Sequence, residues 1–161
     1  MIQLKIKNKK GQFNVNSKEV KDILLMRQDI DFVQDISNTI NQKDIMVFDC
    51  KLPETIFSKE VARQIITESD GEIDESFFEL FFEDVRAFLK DTTDEIEAEL
   101  QETYLVDNIR CCFDVYRIND EFTDFKFVFL VCFKETTIAV LENLAKIISK
   151  RQLAGASKFY C

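Results

Sequence analysis

Histidine is absent from this chain of 161 residues, and that absence removes more chemistry than any other feature. Without an imidazole there is no Ser-His-Asp or Cys-His catalysis, no zinc-peptidase motif and no histidine phosphate relay. Glycine is scarce, with only Gly11, Gly71 and Gly155. A phosphate cradle needs several glycines close together, so P-loop and dinucleotide-binding readings fail. Tryptophan is missing as well, while there are 16 phenylalanines, so benzyl rings build most of the core. The five cysteines are odd in number, irregularly spaced and contain no Cys-x-x-Cys pair, which speaks for free thiols and against a zinc cage. Cys112 and Cys132 could face each other across a hairpin, but two small core side chains are the simpler reading. No metal and no cofactor are expected. An enzyme here would have to work with carboxylates, lysine, tyrosine or an activated cysteine. The longest apolar run, Phe127 to Phe133, is too short for a bilayer, and MIQLKIKNKK lacks the apolar segment of a signal peptide. The expectation is a cytoplasmic protein with no membrane partner.

What is present centres on Ile109 to Ile148, which reads strand, turn, strand, helix: IRCCFDVYRI, NDEFTD, FKFVFLVCF and TTIAVLENLAKII. Phe125, Phe127, Phe129, Val131 and Phe133 alternate with Val128, Leu130 and Cys132, so both faces of the second strand call for cover. Residues 1–15 read as a β-hairpin, with Ile2, Leu4 and Ile6 alternating with Gln3, Lys5 and Lys7 before an Asn8-Lys9-Lys10-Gly11 turn. Ser17 is placed as a helix cap before Lys18. Ile23, Met26, Ile30, Val33 and Ile40 then recur at steps of three and four, with Ser37 at the missing position. This predicts one bent helix over 17–42, or two with a break at Gln28-Asp29. Residues 44–50 read as a short strand, and Pro53 opens a helix that runs to about Glu68.

The stretch 68–80, ESDGEIDESFFEL, resembles a calcium-binding loop around Gly71. Ile66 and Phe77 would then occupy the first and twelfth ligand positions, and neither can ligate. An Asp-Gly turn with Asp74 capping the next helix explains the same residues. That helix, 75–91, carries a wide apolar face of Phe77, Phe78, Phe81, Phe82, Val85, Phe88 and Leu89. Thr93 or Asp94 is expected to start a further helix with Ile96, Leu100 and Tyr104 on one thin apolar face. Ile138, Leu141, Leu144, Ala145 and Ile148 give the last helix its core stripe, and residues 152–161 read as a frayed C-terminal tail. The sum is a single α+β domain over 1–151. It has a mixed or antiparallel sheet of about four or five strands with amphipathic helices packed on it, and a C-terminal β-hairpin followed by a helix.

The formal net charge is −9, but it is not evenly spread. Glu68 to Glu102 holds 14 acidic residues against 2 basic ones, so the rest of the chain is net positive. A solvated helix face and an acidic docking surface both fit such a block. The missing catalytic inventory and the phenylalanine excess favour a non-enzymatic protein-binding protein, of the inhibitor or immunity type, that masks a basic surface on its partner. Its acidic face would be Glu79, Glu83, Asp94, Glu95, Glu97, Glu99 and Glu102, with Phe77, Phe78 and Phe82 as apolar contacts. One alternative is a cytosolic assembly or secretion chaperone, a homodimer that takes a client segment on the Phe-rich helix or an exposed strand edge. Another is a carboxylate enzyme using Mg²⁺ or Mn²⁺ at Asp70, Glu72, Asp74 and Glu75. Nucleic-acid binding through Lys5, Lys7, Lys9 and Lys10 with the C-terminal lysines is opposed by the negative net charge.

Overall fold

The computed structural model describes residues 2–40, 42–53, 75–118 and 125–160; for 75–81, 118 and 155–160 only the backbone is described. The chain opens with β1 (Gln3–Asn8) and β2 (Gly11–Asn16), an antiparallel hairpin in which Asn8 faces Gly11. Asn8 Oδ1 accepts the Lys10 N–H at 2.8 Å and closes the turn. Gly11 sits at φ 123°, a conformation that a residue with a Cβ rarely adopts, so glycine is required there.

Helix α1 (Ser17–Leu25) follows directly. Its cap is Asn16, whose Oδ1 accepts the Glu19 N–H at 2.9 Å, and not Ser17 as the sequence suggested. Ser17 is instead buried, accepting the Ile2 N–H and donating to Asp35. The helix expected to reach residue 42 stops at Leu25. Val20 and Leu24 form its buried face, and Met26, assigned to that face, is 84% exposed. Beyond the Gln28-Asp29 turn the chain is extended as β3 (Phe32–Asp35), paired with β4 (Ile45–Leu52), with a 3-10 turn at Ser37–Thr39 between them. Antiparallel pairing with β4 here overrides a weak helical period. Ser37, the gap in that period, ties the 3-10 turn to β4: its Oγ accepts the Val47 N–H at 2.9 Å.

Helix α2 (Glu75–Tyr104) is 30 residues long and does not break at Asp91–Asp94. Thr92 and Thr93, expected at a junction, are buried. The reason is phase: Val85, Leu89, Ile96 and Leu100 are separated by four, seven and four residues, so both halves present one continuous apolar face. The helix ends with Leu105 at φ 55°, the Val106 N–H donating to Gln101 O at 3.2 Å and Asn8 Nδ2 donating to Tyr104 O at 2.7 Å. The helix expected from Pro53 to Glu68 and the turn at Gly71 lie outside the described residues.

The hairpin expected near the C-terminus is present as β5 (Arg110–Ile118) and β6 (Phe125–Cys132), followed by α3 (Ile138–Tyr160). The backbone remains helical through the segment read as a frayed tail, as far as Tyr160. The strands form an antiparallel sheet in the order β3-β4-β6-β5, beside the two-stranded β1-β2 sheet. The fold is thus a single α+β domain.

Both faces of β6 are covered, as its composition demands. Phe125, Phe127, Phe129 and Val131 join a core with α1, α2 and the first hairpin. Val128, Leu130 and Cys132 join a second core with Leu141, Ala145 and Ile148 of α3. Cys112 and Cys132 lie on that same face but are not opposite each other; Cys112 pairs with Leu130 and Arg110 with Cys132. All four described cysteines are free and buried.

Candidate functional site

Helix α2 separates two surfaces. Along its solvent side Asp84, Asp91, Glu95, Glu99 and Glu102 recur at steps of seven, four, four and three, which places them in one strip about 27 Å long. All five are exposed. Only Glu95 has an ion pair among the described residues, with Arg27 Nη2 at 2.6 Å from its Oε2; Arg27 is also held by Asp29 at 3.2 Å. The strip divides the expected acidic face. Glu95, Glu99 and Glu102 belong to it. Glu83 and Asp94 are exposed on an adjoining line, and Glu97 turns away to accept the Cys111 N–H at 2.9 Å. Asp84 and Asp91 were not in the expected set, although their helical spacing from Glu95 marks them. Glu79, Phe77 and Phe78 lie where only backbone is described. Phe82 is half-buried with the Arg86 guanidinium 5.6 Å from its ring centre.

The second surface is a groove of about 580 Å³ between α2, the outer edge of β5 and the first turns of α3. Arg86, Lys90, Asp94 and Glu97 come from α2, Arg110 to Asp114 from β5, and Ile138, Glu142 and Lys146 from α3. Cys111 and Cys112 lie along it, yet neither is an activated nucleophile. Burial, then Glu97, pushes the Cys111 thiol well up, and burial, then Glu142 and Asp114, pushes Cys112 up to about 12. Cys50 and Cys132 are also raised, chiefly by burial.

No known protein family, curated protein or solved structure matches this chain. The reading of its surfaces therefore rests on their own chemistry.

Among the described residues, no group of three or more histidine, cysteine or acidic side chains is arranged to hold a metal. Of the carboxylates weighed for a divalent ion, Asp70, Glu72 and Asp74 lie outside those residues, and Glu75 lies where only backbone is described. No helix among them is long and apolar enough to cross a membrane. Lys5 and Lys7 are exposed on β1, while Lys9 and Lys10 line a hollow with Glu102 and Asp107. The hairpin tip therefore sits beside opposite charge, which reduces its attraction for phosphate.

Proposed function

We propose that this is a non-enzymatic protein-binding protein whose acidic α2 strip captures a partner with a basic surface. One observation carries the reading: the strip is aligned. A helix that needs only solubility gains nothing from stacking like charges. Pairs such as Asp91 with Glu95 and Glu95 with Glu99 stand four residues apart, where like charges each destabilise a helix by about 0.2–0.5 kcal/mol. Glu102 lies in a last turn that contains no basic residue, where the helix dipole also opposes it. Arg27 offsets the charge of Glu95 alone, and the remaining alignment supports a surface kept for contact, since a long anionic strip steers a cationic partner into register.

The test is affinity capture from an extract of the source cell, at low and high salt, with the native protein and with a variant carrying Asp84→Lys, Asp91→Lys, Glu99→Lys and Glu102→Lys. Glu95 and Glu97 are left in place because they hold Arg27 and the Cys111 N–H. The native protein should retain a discrete basic protein that high salt releases and the variant does not hold. Capture of the same proteins by both would reject the proposal.

A further inference from the structure

The outer edge of β5 is open among the described residues. β5 pairs with β6 on one side, and no strand among the described residues pairs with the other. Alternate residues of an antiparallel edge strand send their N–H and C=O groups outward. The Cys111 N–H is one of these, because it meets the Glu97 carboxylate across the groove. Phe113 and Val115 follow it at the strand period. Glu97 Oε2 thus stands where the carbonyl of a further strand would stand, a side-chain substitute for an absent backbone. Long edges are normally blunted by charge, proline, a bulge or full cover. Here β5 itself carries Arg110 and Asp114, the Glu97 carboxylate guards one position, and the bulge comes only beyond Val115.

The groove also selects its occupant. Helices α2 and α3 both pack on β5, one in each core, so they flank its edge as walls. A second copy would bring two such walls of its own to the same edge, whereas a bare extended segment brings none. The walls are polarised in the same sense. α2 leads through a short connection into β5 and packs on it, so it runs antiparallel to it. Glu97 therefore lies at the Cys111 end, and Lys90 and Arg86, two and three turns earlier, line the groove toward Asp114. On the other wall Glu142 lies near Cys112, and α3 runs on toward the level of Asp114, where Gln152 bonds Asp49 in register with Val128 and Asp114, so Lys146 lies one turn further that way.

We propose that the β5 edge is a docking site for an extended peptide segment of a partner protein, added antiparallel as a further strand, with an acidic residue leading and a basic residue four positions later. Main-chain bonds to Phe113 and Val115 hold such a strand, and the polarised walls set its direction. The leading acid meets Lys90 and Lys146; the following base meets Glu97 and Glu142.

The probes are two capped synthetic peptides of identical composition, one acid-first and one base-first, with valine and threonine between the charges. Amide hydrogen exchange is followed by NMR. At saturation the acid-first peptide should slow exchange at Phe113 and Val115 by at least about tenfold. It should bind about fivefold more tightly than the base-first peptide, as two surface charge pairs allow. The double variant Lys90→Glu with Lys146→Glu changes only exposed side chains, and it should erase or invert that preference. Three results would each overturn the proposal: no protection at these amides with either peptide, equal affinity for both charge orders, or protection without peptide that grows with protein concentration. The last would assign the edge to a second copy of the chain.

Discussion

Asp49 shows how this core tolerates a carboxylate. It sits in β4 between Phe48 and Cys50, on the face covered by α3, and is 9% exposed. Tyr116 donates its hydroxyl to Oδ1 at 2.6 Å and Gln152 donates to Oδ2 at 3.0 Å. The irregular register between Val115 and Arg117 lies at Tyr116, so the bulge delivers the phenol to this carboxylate. Tyr116→Phe leaves one buried carboxylate oxygen without that bond, and the expected cost is about 1–3 kcal/mol. Urea denaturation should show a lower midpoint at an unchanged slope; an unchanged midpoint would contradict the assignment. Asp35 behaves differently with pH. Burial pushes its carboxyl up, but hydrogen bonds from the Ser17 hydroxyl and from Ser37 outweigh that and hold it below the ordinary value of 3.8. A depressed folded value means stability that is fully present above 3.8 and is lost as pH falls through the folded value. Asp35→Asn should therefore be less stable than the native protein at neutral pH, with the gap closing below 3.8. Melting curves across pH 2–7 check this, and a gap that widens in acid would refute it.

At the scale of elements, legibility followed the strength of the period. β6 could be read because seven successive positions, Phe127 to Phe133, are apolar and rich in valine and phenylalanine, as in a strand covered on both faces. The first hairpin could be read from strict alternation and one glycine. The segment after α1 could not, because Ile30, Val33 and Ile36 recur every third residue, a helical spacing, and the strand is imposed by pairing with β4. Thr92 and Thr93 misled in the opposite sense. Threonine often marks a cap, but both hydroxyl residues point into a face whose phase runs unbroken through them. The end of α2 yields a prediction. Leu105 adopts φ 55°, where a Cβ costs about 1–2 kcal/mol, and it is 44% exposed. Leu105→Gly should stabilise the protein by roughly 0.5–1 kcal/mol after allowing for glycine's freedom in the unfolded chain. A lower unfolding midpoint would mean that the leucine side chain contributes more than its backbone conformation costs.

For the whole molecule, the sequence disclosed that charge is segregated but not how. Counting acids located the block. The helix phase splits it, sending Glu97 to the β5 edge and Glu95 to Arg27 while adding Asp84 and Asp91 to the exposed strip. That division depends on α2 being one helix, which the sequence reading did not provide. The charge-reversed strip should also fold about as well as the native chain, because lysines at 91 and 99 turn repulsive neighbours of Glu95 into attractive ones and so offset the lysine placed at 102 beside Lys9 and Lys10. Loss of binding in that variant then cannot be ascribed to unfolding. The most direct measurement is the association rate of the purified protein with its captured partner over a range of ionic strength. The native rate should fall steeply as salt rises, and the rate for the reversed strip should be slow and nearly independent of salt. Equal rates with equal salt slopes would contradict the claim that the α2 strip is the contact surface.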